Sequence, residues 1–144
     1  MKLTLTILLL IIIAITTTDL SAKPKVKVKI TDNTVASLME GLNSENLGLK
    51  SSSAYMIGEL QLTKAVIPLM KILREDESDE IRIAAALALY KIGSPIAIHA
   101  VKQSIRFDES ERVSKLCANF YSEYVKSKLI GEEINVDVAK TALK

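Results

Sequence analysis

The sequence predicts an all-α fold, a short solenoid of antiparallel helix pairs in tandem repeats. Residues 81–112 align without a gap on residues 49–80 and on residues 113–144, which gives a period of thirty-two residues. Within each copy, apolar residues recur at intervals of three and four, which is typical of helices that bury one face. Between the helices, Gly93-Ser94-Pro95 is a sequence that ends one helix and begins the next. Helix pairs repeated at one period predict a solenoid.

Residues 1–22 differ from the rest of the chain in composition. Lys2 precedes an almost unbroken run of Leu and Ile over residues 3–15, and Ser21-Ala22 ends the segment with small residues. This order predicts a secretory signal peptide at residues 1–22, cleaved after Ala22. The run is short for a membrane-spanning helix, which needs about 20 residues, so an uncleaved anchor is the alternative. The sequence therefore predicts an exported protein, periplasmic or secreted, that contacts a membrane only if this segment is retained.

Residues 23–32 are a predicted basic arm. Lys alternates with Pro, Val and Ile over residues 23–30, and a period of two permits a short strand. The chain offers no second strand of similar quality, and an unpaired strand is not stable in water. We therefore expect a solvated extended arm, with a basic tether to anionic lipid or to an acidic partner as the alternative.

The predicted repeat domain, residues 33–144, begins with a half repeat at residues 33–48. Asp32, Asn33 and Thr34 are candidate caps for its helix. Two full repeats follow at residues 49–80 and 81–112, each with two helices. The predicted core positions of the half repeat are Val35, Leu38, Met39 and Leu42. Those of the two first helices are Leu49, Ser53, Ile57 and Leu60, and Ile81, Ala85, Leu89 and Ile92. Those of the two second helices are Val66, Leu69 and Leu73, and Ile98, Val101 and Ile105.

Three details refine these helices. The Ala residues of the segment IRIAAALAL favour a helix and allow a neighbouring backbone to approach closely. Pro68 lies about a turn inside its predicted helix, which predicts a kink or a late start. Acidic residues follow each helix pair. A calcium-binding loop would need a Gly at its bend, and these loops contain none. We therefore expect their Asp and Ser residues to cap the next helix.

The last copy, residues 113–144, departs from the pattern. Val113, Leu116, Cys117, Phe120, Tyr121 and Tyr124 form a broad apolar stripe, as expected for a first helix. After it, a weak terminal helix is predicted at residues 132–143, and an extended tail is the alternative. A degenerate terminal repeat is common because it caps the core of a solenoid.

The middle copy resembles a known repeat. The motif I-R-x-x-A-A-x-A-L-x-x-I-G at residues 81–93 and the following A-I-x-x-V-x-x-x-I at residues 97–105 resemble the short HEAT repeat of the phycobilisome-lyase-like class. The resemblance covers residues 35–124. The sequence departs from the motif at two places. Ser51-Ser52-Ser53 lies where Ala is usual, and Val113-Ser114 lacks the basic residue that Ile81-Arg82 has. The resemblance implies a scaffold or protein-binding module, and some relatives assist chromophore attachment. The motif itself specifies helix packing and no site.

Composition and motifs give no sign of a reaction. The chain carries no Ser/His/Asp set, Cys/His cluster or phosphate-binding Gly loop, and its single His and single Cys have no partners for catalysis or metal binding. Cys117 falls on an apolar stripe, which predicts a buried thiol. We therefore expect no enzyme activity, no cofactor and no metal. The export signal and a net charge of +2 oppose nucleic-acid binding.

The resemblance implies that second helices line the concave face, so their outward positions become the candidate surface. Lys71, Arg74, Lys102 and Arg106 make this surface mildly basic. Met and apolar residues beside Arg suit a protein-binding groove, and an ordinary solvated helix face is the alternative. The candidate partner-binding residues are Met39, Ile67, Met70, Lys71, Arg74, His99, Lys102, Gln103 and Arg106.

Two functions fit these observations. The first is an exported scaffold or binding module that holds another protein, one of the cell envelope, on its second helices. The second is an accessory or chaperone-like subunit of an enzyme or of a chromophore-attachment system, which would need an occluded apolar pocket.

Overall fold

A computed structural model describes residues 30–142 of the chain, with side chains as far as Ile130. This part of the chain forms six α-helices and one short 3-10 helix, and it contains no strand. The α-helices are α1 Asp32–Leu42, α2 Leu47–Glu59, α3 Val66–Glu75, α4 Asp79–Ile92, α5 Pro95–Phe107 and α6 Glu111–Ala142. The predicted all-α solenoid is confirmed. The predicted signal peptide and most of the basic arm lie outside the described residues.

Side-chain caps begin four of the helices. Thr31, Asn46, Ser78 and Ser94 each accept a hydrogen bond from the backbone N–H three residues later, which satisfies one of the free donors of the first turn. The first of these differs from the prediction, because Thr31 caps α1 and Asp32 is already helical. The acidic carboxylate of Asp32 then lies in the first turn, where the helix dipole favours it.

The predicted break between α4 and α5 is confirmed. Gly93 adopts a left-handed conformation with φ of 66°, Ser94 caps α5, and Pro95 is its first residue. Pro68 delays the equivalent helix, as predicted: a 3-10 turn at Thr63–Ala65 precedes α3, which begins at Val66. Pro68 is then the third residue of α3, within the first turn, where its missing N–H leaves no helical bond unmade.

The six helices pack in pairs across the loops at residues 43–46, 76–78 and 108–110. These pairs are α1 with α2, α3 with α4, and α5 with α6, so a second helix packs most closely on the first helix of the next predicted repeat. First helices also stack on one another, α2 on α4 and α4 on α6. Small residues allow this approach, since a Cβ on Gly58 would lie only 2.8 Å from the Cα of Ala88.

The core lies between the first and second helices, at the positions that the repeat predicts. Its largest fully buried side chains are Leu42, Ile57, Leu69, Leu73, Ile81, Leu89, Val101, Val113 and Cys117. Leu49 is a wrong prediction: it is 52% exposed, whereas Ile81 and Val113, its equivalents, are 1% and 0% exposed. The pair α1–α2 is the first of the described stack, so among residues 30–142 no earlier pair covers Leu49.

The last predicted repeat also needs correction. Glu111–Ala142 is one continuous helix, so neither a separate terminal helix nor an extended tail occurs over residues 132–142. The reason lies in the residues after glycine. Gly93 is followed by a capping Ser and a Pro that begin a new helix, whereas Gly131 is followed by Glu132 and Glu133, which continue one. None of the described helices is both long and apolar enough to cross a membrane.

The acidic loops carry a second role that the sequence did not reveal. The Arg82 guanidinium donates to the Asp108 carboxylate at 3.1 and 3.0 Å, to Asp79 at 2.8 Å and to the backbone carbonyl of Asp76 at 2.8 Å. Hydrogen bonding to Asp108 raises the pKa of Arg82. One repeat earlier, Lys50 donates to Asp76 at 2.9 Å. Each loop is therefore fixed by a basic residue from the start of the first helix of its own repeat.

Candidate functional site

Successive second helices, α1, α3 and α5, leave open grooves between them. Groove 1 lies between α1 and α3 and has a volume of about 580 Å³. Groove 2 lies between α3 and α5 and has a volume of about 330 Å³. We call the surface that contains both grooves the second-helix face.

The two grooves are one structural feature that occurs twice. Six residues that line groove 1 have their equivalents, one repeat later, in the lining of groove 2. These pairs are Ile67 and His99, Pro68 and Ala100, Lys71 and Gln103, Ile72 and Ser104, Glu75 and Phe107, and Asp76 and Asp108. The side chains differ in chemistry at most of these positions, so the repeat fixes the grooves while the individual residues set what each groove can bind.

Each groove contains one large apolar side chain that is mostly exposed. Phe107 in groove 2 is 71% exposed and Ile67 in groove 1 is 63% exposed, the two highest values among the large hydrophobic side chains of residues 30–130. Met70, half-buried against the core, adds a flexible apolar surface to groove 2. Exposed apolar residues gathered in a concave surface are typical of interaction sites.

The charges around the grooves fall into two groups. Acidic side chains of the lining are held by basic neighbours: Asp76 by Lys50, Asp108 by Arg82, and Glu75 by Arg74, whose Nη2 lies 2.6 Å from its carboxylate. This hydrogen bond lowers the pKa of Glu75. The second group consists of Lys71, Lys102 and Arg106, which form no ion pair within the described residues. These three residues give the second-helix face positive charges that no described carboxylate pairs.

Residues 35–119, which include both grooves, match the family described as HEAT repeats. The chain belongs to the HEAT repeat family. HEAT repeats are generally scaffolds for protein–protein interaction and are typically not catalytic. No curated protein matches this HEAT repeat chain. The phycobilisome-lyase-like class within the family stays a prediction from the sequence.

The HEAT repeat stack brings most of the predicted partner-binding residues to the grooves. Met70, Arg74, His99 and Gln103 line groove 2, and Ile67 and Lys71 line groove 1. The other three lie outside the two linings. Met39 is half-buried against the core, Lys102 lies over the Tyr121 ring of α6 at 5.3 Å, and Arg106 lies over the Phe107 ring at 6.0 Å.

Sequence reasoning missed Phe107, the most exposed apolar side chain of the groove linings. The signal was present, since Phe107 occupies the position of Glu75 in the previous repeat. A large aromatic residue that replaces a carboxylate at a helix end has no evident role in packing the repeat. Comparing the copies for such replacements would have identified it.

The potentially reactive side chains of the HEAT repeat domain do not gather. Cys117 is completely buried in α6, and burial raises the pKa of its thiol to about 12. His99 is exposed in groove 2. Over the described part of the chain, no group of three or more His, Cys, Asp or Glu residues could hold a metal ion. What the grooves offer chemically is apolar contact, hydrogen bonds and positive charge.

Proposed function

We propose that this protein is an exported HEAT-repeat binding module that holds another protein of the cell envelope on its second-helix face. Export rests on the N-terminal sequence, with its basic start, apolar run and small residues at 21 and 22. Binding through this face rests on one observation: each of two equivalent grooves exposes a large apolar side chain, Ile67 or Phe107. Phe107 shares groove 2 with Met70 and Arg74, and aromatic residues beside Arg and Met are typical of the centre of a protein interface.

The test replaces both exposed side chains. The variant I67S/F107S should lose most of its partner in a crosslinking experiment on cells of the source organism, read by quantitative mass spectrometry. Its melting temperature should stay unchanged, because exposed side chains contribute less than about 0.5 kcal/mol to stability. Ile96→Ser is the matched control, since Ile96 is 50% exposed on α5 outside the groove linings. Equal capture by the wild type and I67S/F107S would contradict the proposal.

The accessory role in an enzyme or chromophore-attachment system is the alternative prediction. It requires an occluded apolar pocket, whereas the two grooves of the second-helix face are open to solvent. Absorbance of the purified protein decides between the two functions. A band at wavelengths longer than those of its Tyr residues would favour the accessory role.

A further inference from the structure

We propose that the second-helix face binds an acidic segment of its partner, one that carries two apolar side chains with carboxylates between and beside them. This inference rests on the proposed function and adds the chemistry of the partner. The apolar side chains would contact Ile67 in groove 1 and Phe107 in groove 2. The carboxylates would pair with Lys71, Lys102 and Arg106.

The first support is the difference between this face and α6. As far as Ile130, three of the four exposed basic residues of α6, Arg112, Lys115 and Lys126, pair with a Glu side chain, and the fourth, Lys128, lies over the Tyr124 ring. On the second-helix face, Lys71 and Arg106 are exposed without an ion pair among the described residues. A partner that supplies carboxylates would complete these pairs, and complementary charge is what guides association at protein interfaces.

The second support is that the carboxylates in the groove linings already form ion pairs. Asp76 and Asp108 are held by Lys50 and Arg82, and Glu75 is held by Arg74. None of these carboxylates forms an ion pair with Lys71, Lys102 or Arg106. Glu40 on α1 carries an exposed carboxylate, but it does not line groove 1. The exposed carboxylates of Glu77 and Glu109 lie near Phe107, so the positive charge available to a partner comes from Lys71 on α3 and from Lys102 and Arg106 on α5.

The positions of the two apolar residues set the spacing of the partner's side chains. Ile67 corresponds to His99 on α5, and Phe107 lies eight residues further along that helix, about 12 Å at 1.5 Å per residue. Neighbouring helices lie about 8–10 Å apart, so the two apolar side chains are roughly 15 Å apart across the face. An extended chain covers that distance in about five residues.

The test is selection of a phage-displayed library of random peptides on the immobilised full chain. Peptides of about 12 residues reach roughly 40 Å when extended, which is enough to cover both grooves. The expected winners carry two large apolar residues with Asp or Glu between them. The most enriched peptide, synthesised with a fluorescent label, should bind K71E/R106E at least about tenfold more weakly than the wild type. It should also bind more weakly as salt is raised.

Control variants separate the two proposals. K115E/K126E makes the same charge change at two exposed positions of α6, and it should bind the labelled peptide as the wild type does. K71A/R106A removes the charges without reversing them and should weaken binding less than K71E/R106E. Peptides that need Ile67 and Phe107, carry no excess of acidic residues and bind K71E/R106E normally would overturn the acidic partner and leave the proposed function. Failure to recover any peptide that needs Ile67 and Phe107 would count against both.

Discussion

Cys117 is the residue whose chemistry is altered most by its environment. Its side chain is completely buried, and burial, aided by the negative charge of Asp108, raises the pKa of the thiol to about 12. Because the thiolate is the reactive form of cysteine, a neutral buried thiol is inert at physiological pH. Cys117 therefore acts as a small apolar residue of the core, as its place on an apolar stripe predicts.

We predict that native Cys117 resists a thiol reagent such as dithionitrobenzoate. Labelling should proceed only through unfolding, so its rate should rise steeply when denaturant unfolds the chain. The rates are measured by absorbance at neutral pH, with and without denaturant. A native rate equal to the unfolded rate would show that the thiol is accessible.

Arg82 is expected to contribute more to stability than any other basic residue of the described chain. Its side chain is 12% exposed and that of Asp108 is 6% exposed. Arg82→Ala would leave Asp108 nearly buried without its partner and would free the Asp76 carbonyl. We expect this change to lower the free energy of unfolding by about 2–4 kcal/mol, measured by urea denaturation.

Arg112→Ala is the control for this prediction. Arg112 pairs with Glu80 at 2.5 Å, but the two side chains are 61% and 65% exposed. An exposed pair contributes little, so the expected loss is less than about 1 kcal/mol. Similar losses for Arg82→Ala and Arg112→Ala would mean that Arg82 does not fix the loop as its hydrogen bonds indicate.

At the scale of elements, the close packing of α2 on α4 depends on Gly58. A methyl group at this position would lie 2.8 Å from the Cα of Ala88 and 3.3 Å from its Cβ, so the two helices would have to move apart. Gly58→Ala should lower the free energy of unfolding by about 1–3 kcal/mol, as overpacking does. This is opposite to the gain of about 1 kcal/mol that Ala brings to an unconstrained helix.

Gly48→Ala provides the comparison on the same helix. There, an added methyl meets only the Asn46 side-chain oxygen, at 3.2 Å. We expect a smaller change, because a side chain can adjust where a backbone cannot. Both variants are compared with the wild type by urea denaturation. A free energy of unfolding for Gly58→Ala equal to or above that of the wild type would mean that α2 packs less closely on α4 than the distance to Ala88 indicates.

The helices were predictable where local chemistry decides their ends. Ser78, Ser94, Gly93 and Pro95 act through their own side chains or dihedral angles, so their roles could be read from the sequence. The continuation of α6 through its C-terminal half could not be predicted in this way. The period of the repeat indicated a break there, but the residues after Gly131 favour a helix, and local preference prevailed.

Over the molecule as a whole, the repeat predicts which residues form the core but does not predict the shape of the surface. Leu69, Leu89 and Val101 are buried as their spacing requires. The wrong prediction for Leu49 has a different origin, because its burial depends on a preceding helix pair, and residues 30–142 contain none before α1 and α2. The grooves arise between second helices that stack less closely than first helices, and periodicity alone does not report that distance.

The candidate site was therefore only partly predictable. The outward positions of the second helices follow from helical geometry, which is why Ile67, Lys71, Arg74, His99 and Gln103 were identified and do line the grooves. The division into two equivalent grooves and the exposure of Phe107 depend on how three helices lie together. Binding of a partner at this face is the central proposal, and it depends on both.

Photocrosslinking in living cells tests that proposal most directly. A photoreactive amino acid is placed at Asn43 in groove 1, at Gln103 in groove 2, and at two exposed control positions, Ser52 on α2 and Ser122 on α6. Adducts with one partner protein are expected from Asn43 and Gln103 and not from the controls. Adducts from Ser52 or Ser122 alone, or equally from all four positions, would contradict binding through the second-helix face.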